Sequence, residues 1–167
     1  MVIALKQSHI ICFDNLRKVS TAMSDLLCIA STGGYYTTRE LYTTGDEHRT
    51  YIKGAIIANG LHDIVDQPDL VSRMVMLQLE PIKDAVRKTE AELMEDLESN
   101  HAKYFGFLLS VISKAMRHIK DSNPESLTRM ADFCYWGDAV EIALDWPKGA
   151  FMKAYMTNQQ DLQQSAT

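Results

Sequence analysis

The chain has 167 residues, of which 46% are hydrophobic, and a formal net charge of -5. That size supports one core, or a small core with a helical appendage, and the apolar fraction excludes wholesale disorder. The acidic total excludes a field that draws nucleic acid to the whole molecule, so any DNA contact must be local or belong to an assembly.

No apolar run approaches the roughly eighteen residues of a membrane span, so no membrane association is expected. Met1 to Lys6 carry neither a signal-peptide core nor a cleavage site, which sets the cytoplasm as the expected location. Cys12, Cys28 and Cys134 are odd in number and lack ligand spacing. They read as buried reduced thiols rather than zinc ligands or a disulfide framework.

In chain order, His9-Ile10-Ile11-Cys12-Phe13 is a short apolar run ending on Asp14-Asn15. Val19, Met23, Leu26, Leu27 and Ala30 then fall at helical spacing, predicting a helix over Ser20 to Ser31 stopped by Gly33-Gly34. Tyr35 to Lys53 alternates β-branched, aromatic and charged residues around Thr44-Gly45-Asp46, which predicts a β-hairpin carrying Arg39 and Arg49. Gly54-Ala55-Ile56-Ile57-Ala58 is a second apolar run, ending on Asn59-Gly60. Pro68 opens a single helical turn to Arg73, and Met74 to Leu79 reads as a third strand.

Runs of this kind, apolar on both faces, suit strands buried in a parallel sheet covered by helices. Ligands sit at the carboxyl ends of such strands, so Asp14 and Asn59 are placed as site residues. Beyond Pro81 the pattern is helical. Thr89-Glu90-Ala91-Glu92 has capping-box spacing. Phe105 to Ile119 carries an apolar stripe read as core, and further helices are expected over Ser126–Trp136, Ala139–Trp146 and Phe151–Gln160. The break near Pro81 predicts two domains, 1–82 and 83–167.

A strand ending in Asp14, a helix, a hairpin, a strand ending in Asn59 and then Arg73 is an ordered set. It resembles the C-terminal half of an AAA+ or superfamily-3-like P-loop ATPase, of the primase-helicase type found in phage and integrative-element replication proteins. The matching stretches include Phe13-Asp14-Asn15-Leu16, Ile57-Ala58-Asn59-Gly60-Leu61, Pro68-Asp69-Leu70-Val71-Ser72-Arg73 and Arg129-Met130-Ala131-Asp132-Phe133. The resemblance implies an α/β fold: a partial parallel sheet of an AAA+-like core with a β-hairpin insertion, followed by a helical bundle or lid.

It further implies that Asp14 would hold Mg2+ through water and that Asn59 would meet the attacking water or the γ-phosphate. Arg73 would reach a neighbour's nucleotide, and Arg129 would act from the lid. Each has a plainer reading. An Asp after a strand caps a helix, Asn-Gly makes turns, and an Arg at a helix end complements the dipole. Arg39 and Arg49 among tyrosines suit a single-stranded or duplex DNA contact, and equally suit ordinary cross-strand pairing.

Two departures from the family pattern matter. No G-x-x-x-x-G-K-[ST] loop occurs, so neither a phosphate nest nor its lysine is present. Asn15 follows Asp14 where many relatives place Glu, and an amide cannot take a proton from water. ATP and Mg2+ are therefore expected only if a partner supplies the phosphate loop. The expectation is self-association or a P-loop-containing partner chain, the alternative being a non-enzymatic oligomerisation module.

Overall fold

The computed structural model describes residues 2–39, 47–60 and 65–165. The chain divides into two compact units, Met1–Met74 with Gln159–Thr167, and Val75–Asn158.

The first unit is mixed α/β. Helix α1 (Val2–Gln7) leads into β1 (Ile10–Phe13), then α2 (Thr21–Thr32), the strands β2 (Gly34–Arg39) and β3 (Glu47–Ile52), β4 (Ala55–Ala58) and the short α3 (Pro68–Val71). β1 and β4 pair in parallel, Ile10 opposite Ala55 through Phe13 opposite Ala58. β2 and β3 form the expected antiparallel hairpin, whose Thr44-Gly45-Asp46 turn lies outside the described residues.

Local signals explain α2. The Ser20 hydroxyl accepts from the Met23 N–H at 3.3 Å and caps its start. Gly33, at φ 85, ends it, returning its N–H to the Ile29 carbonyl. One side of α2 buries Leu27 and Cys28 against Val19 and Leu70, with Phe13 and Ile56 of the sheet packed alongside. Another buries Ala30 against Leu5 and Ile52. Burying a Leu or Val of this kind contributes about 1.5–3 kcal/mol.

The sheet departs from expectation. Strands covered on both faces were predicted, but only the α2 face is filled, by Ile11, Phe13 and Ile56. On the other face Ile10 is 57% and Ile57 59% exposed. Cys12 lies exposed there as well, whereas Cys28 and Cys134 are buried as thiols.

Met74 to Leu79 is not a strand. Its backbone bonds to side-chain amides instead: the Met74 carbonyl accepts from Gln159 Nε2 at 2.6 Å, and the Met76 N–H and carbonyl bond to Asn158 at 3.0 and 2.7 Å. An apolar run of this length looks the same in sequence whether a strand or a pair of amides satisfies its backbone.

The second unit is helical. Its long α4 (Glu90–His118) runs unbroken from the capping box through the apolar stripe. The capping box that starts it is complete, with the Thr89 N–H donating to Glu92 Oε2 at 2.7 Å and the Glu92 N–H to Thr89 Oγ1 at 3.3 Å. α5 (Ala131–Ala143) merges two expected helices and ends where Asp145 turns left-handed at φ 55. It packs on α4 through Ala115, Ala139 and Ala143, small residues that let the helices approach closely. The start of α6 (Ala150–Ser165) packs Phe151, Met152 and Tyr155 around Cys134.

The apolar stripe from Phe105 is therefore not a core as expected. A 13-residue α5 cannot cover a 29-residue α4, and of the α4 residues only Ala115 is fully buried. No described helix is long and apolar enough to cross a membrane.

Candidate functional site

The parallel register brings the carboxyl ends of β1 and β4 together, because Phe13 lies opposite Ala58 and the next residues are Asp14 and Asn59. Three bonds lock this end. The Asn59 N–H donates to the Phe13 carbonyl at 3.1 Å, the Leu16 N–H to the Asn59 carbonyl at 2.9 Å, and the Asn15 N–H to Asn59 Oδ1 at 2.6 Å.

Asn15 takes the left-handed conformation, φ 54, which Asn tolerates better than most residues. That turn swings the chain over the end of β4. The Asn59 side chain thus has its carbonyl oxygen engaged, which leaves its amide N–H groups as the end able to meet an incoming oxygen. Asp14, Asn15 and Asn59 are all solvent-exposed, so the carboxylate beside the amide is accessible.

Arg73 follows α3 and lies within its own unit's packing rather than extended. Its side chain is 10% exposed, and its Nη2 sits 3.4 Å from Asp69 Oδ2. Nε and Nη1 are buried with no hydrogen-bond partner among the described residues. Buried donors of this kind cost about 1–3 kcal/mol each unless an acceptor meets them. Cys28 belongs to the same cluster. Burial, followed by a hydrogen bond to Asp69, pushes its thiol up to about 11, while the Arg73 charge pulls the other way. Nothing local in the sequence links Cys28 to Asp69 and Arg73; the packing of α2 against α3 does.

On the hairpin, Tyr35 pairs with Tyr51, their rings edge-to-face at 5.4 Å, and the Arg49 guanidinium lies 6.0 Å from the Tyr35 ring centre. All three side chains are exposed, while Thr50 and Ile52 turn inward. Arg39 stands opposite Glu47 in the register, and its side chain lies outside the described residues. Arg129 is exposed in the second unit, on the segment leading into α5.

That unit also holds two buried carboxylates that sequence reasoning missed. Asp138 accepts the Asn123 N–H at 2.8 Å. Glu141 accepts the N–H groups of Gly149 and Phe151 at 2.6 and 2.7 Å, capping α6. The cap lies eight and ten residues from Glu141, outside any local capping pattern, so no sequence signal marks it. A pocket of about 260 Å3 opens beside them, between Trp146 and Lys148. It is smaller than most ligand clefts, and Asp138 and Glu141 in its wall are bonded to backbone N–H groups. Among the described residues no His, Cys, Asp and Glu group has the makings of a metal cluster.

No curated protein and no solved structure matches the chain. One family matches residues 1–165, nearly the whole length. The chain belongs to the family of actinomycete integrative conjugative element replication proteins.

Proposed function

We propose that the chain supplies the metal- and water-sensing half of an ATP site in the replication machinery of an integrative conjugative element. The phosphate-binding loop would come from another chain. One observation carries this: the β1–β4 register sets an exposed carboxylate, Asp14, beside an amide, Asn59, whose oxygen is held by the Asn15 backbone.

The residues fit the group. Mg2+ takes one or two carboxylates and keeps several waters, which a single exposed Asp14 allows. When bound, Mg2+ with ATP supplies charge neutralisation on the phosphates. Asn59 orients an oxygen through its N–H groups, and Asn15 offers no base. Arg73 has two buried donors without a partner among the described residues, the kind of group a phosphate oxygen satisfies. Engagement of a neighbour's nucleotide requires the Arg73 side chain to leave Asp69. Arg129 stands as the lid contact in this reading. Arg49, over the exposed Tyr35 ring, together with Arg39 makes the hairpin the surface for a DNA strand.

The bare sheet face supports a covering chain, because parallel sheets are ordinarily covered on both sides. Calorimetric titration of Mg-ATP into the purified chain tests the site. Weak binding, roughly millimolar, that falls at least about tenfold in Asp14→Ala and Asn59→Ala agrees with the proposal. Binding unchanged in both variants refutes it, and no binding at millimolar nucleotide rules out a site that forms without the other chain's loop.

A further inference from the structure

The asparagines of the chain are Asn15, Asn59, Asn100, Asn123 and Asn158. An asparagine amide can be lost from within, when the backbone nitrogen of the next residue attacks the side-chain carbon. Whether it does so depends on what holds that nitrogen and that amide.

At all but one of these positions the chain blocks the attack. The N–H of Leu16, which follows Asn15, donates to the Asn59 carbonyl at 2.9 Å. Asn100 and Asn158 lie inside α4 and α6, where the next backbone N–H belongs to the helix. Their amides are engaged as well, Asn100 Nδ2 with the Asp96 carbonyl at 3.1 Å and Asn158 Nδ2 with the Met76 carbonyl at 2.7 Å. Pro124 follows Asn123 and has no N–H to attack with.

Asn59 differs on each count. It and Gly60 are both solvent-exposed. The Gly60 N–H makes no hydrogen bond among the described residues, and glycine has no side chain to obstruct the approach. The Asn15 N–H, 2.6 Å from Asn59 Oδ1, stands where negative charge gathers on that oxygen during attack. We infer that Asn59 is a self-modification site, at which Gly60 displaces the amide and leaves a carboxyl group beside Asp14.

A bond forms between the Gly60 nitrogen and Asn59 Cγ, and the Cγ–Nδ2 bond breaks. The Gly60 proton leaves with the amide nitrogen as ammonia, closing a five-membered imide. Water then opens the imide at either carbonyl, giving an aspartyl or isoaspartyl residue at position 59. The N–H donors of the amide are gone, and a second negative charge stands next to Asp14. The strand end thereby changes from one that meets oxygen atoms to one that holds a cation. The consequence for ATP rests on the function proposed above, whereas the conversion does not.

Timed incubation of the purified chain at neutral pH, followed by peptide mass mapping, tests the chemistry. Position 59 should change from amide to acid before any other asparagine. Letting Gly60 swing inward gives up at most the Leu16 bond, so the rate should lie within about tenfold of that in the guanidinium-unfolded chain. Gly60→Val should slow it by about tenfold or more. Calorimetric titration of Mg2+ alone tests the change of role. Asn59→Asp should bind about fivefold more tightly than the parent, and adding Asp14→Asn should remove the gain. The inference is overturned by an Asn59 that survives in the folded chain while it converts in guanidinium. Conversion of Asn15 or Asn100 at the same rate, or equal Mg2+ affinity in Asn59→Asp and the parent, would overturn it too.

Discussion

The two units use their polar groups in opposite ways. In the first, the polar residues at the strand ends are exposed: Asp14 and Asn59 sit at the carboxyl edge of a two-stranded sheet, and the Asn59 side-chain oxygen is tied to backbone while its amide N–H groups face outward. In the second, Asp138 and Glu141 are buried, Asp138 giving one oxygen to the Asn123 N–H and Glu141 both of its oxygens to the N–H groups of Gly149 and Phe151. Apolar surface follows a different division, since both units leave some uncovered, on the sheet face of one and along α4 of the other. A carboxylate therefore signals chemistry only where folding has not already consumed it. By that criterion Asp14 is available to a ligand, whereas Asp138 and Glu141 serve as scaffolding.

The largest effect should come from Glu141→Ala. It strands two half-buried N–H groups at the start of α6 and removes a negative charge from the positive end of the helix dipole. A loss of about 3 kcal/mol in the urea unfolding of the second unit is expected. Asp14→Asn, at an exposed strand end, should stay within about 0.5 kcal/mol of the parent. If the two variants proved equally destabilising, the division between consumed and available carboxylates would fail.

The same division explains what the sequence revealed. The β1–α2–hairpin–β4 order was legible because each piece carries its own local signal: the alternating hairpin, the helical spacing after Ser20, the polar stops at Asp14 and Asn59. Their juxtaposition followed from the expectation that consecutive apolar runs pair in parallel, and β1 and β4 do. What escaped were features resting on distant partners. Met74 to Leu79 reads as a strand until Asn158 and Gln159 are seen to take its backbone bonds. Glu141 carries no sequence mark of its role, because the N–H groups it caps lie at the start of α6. The stripe of α4 reads as core because periodicity reports an apolar face and cannot report whether anything lies against it.

Cys28 gives an intermediate effect confined to the first unit. Its thiol is held neutral in the folded chain up to about 11, by burial first and the Asp69 bond second, against an ordinary value of 9.0. A raised thiol contributes stability that is complete below the unfolded value and is lost as pH rises from there through the folded one. Denaturation of the parent should therefore become easier between pH 9.0 and about 11. Cys28→Ala should show a shallower decline over that window, and equal slopes would remove the thiol from the account. At neutral pH a maleimide should modify exposed Cys12 well before Cys28 or Cys134.

The smallest expected effect lies at the start of α4, where the Thr89 N–H, then the Thr89 hydroxyl, hold the Glu92 carboxyl below its ordinary 4.5. A lowered carboxyl contributes stability that is present above the ordinary value and lost as pH falls through the folded one. Amide protection in the first turn of α4, taken relative to the intrinsic exchange rate at each pH, should fall on acidification while protection near Ala115, held by α5, stays high. Glu92→Gln keeps the reciprocal bonds without a titrating group, so the protection of its first turn should be indifferent to acid. Should Glu92→Gln fray with acid as the parent does, the charge on Glu92 would not be what holds the cap, and the dipole at this helix end would be satisfied by Glu90 instead.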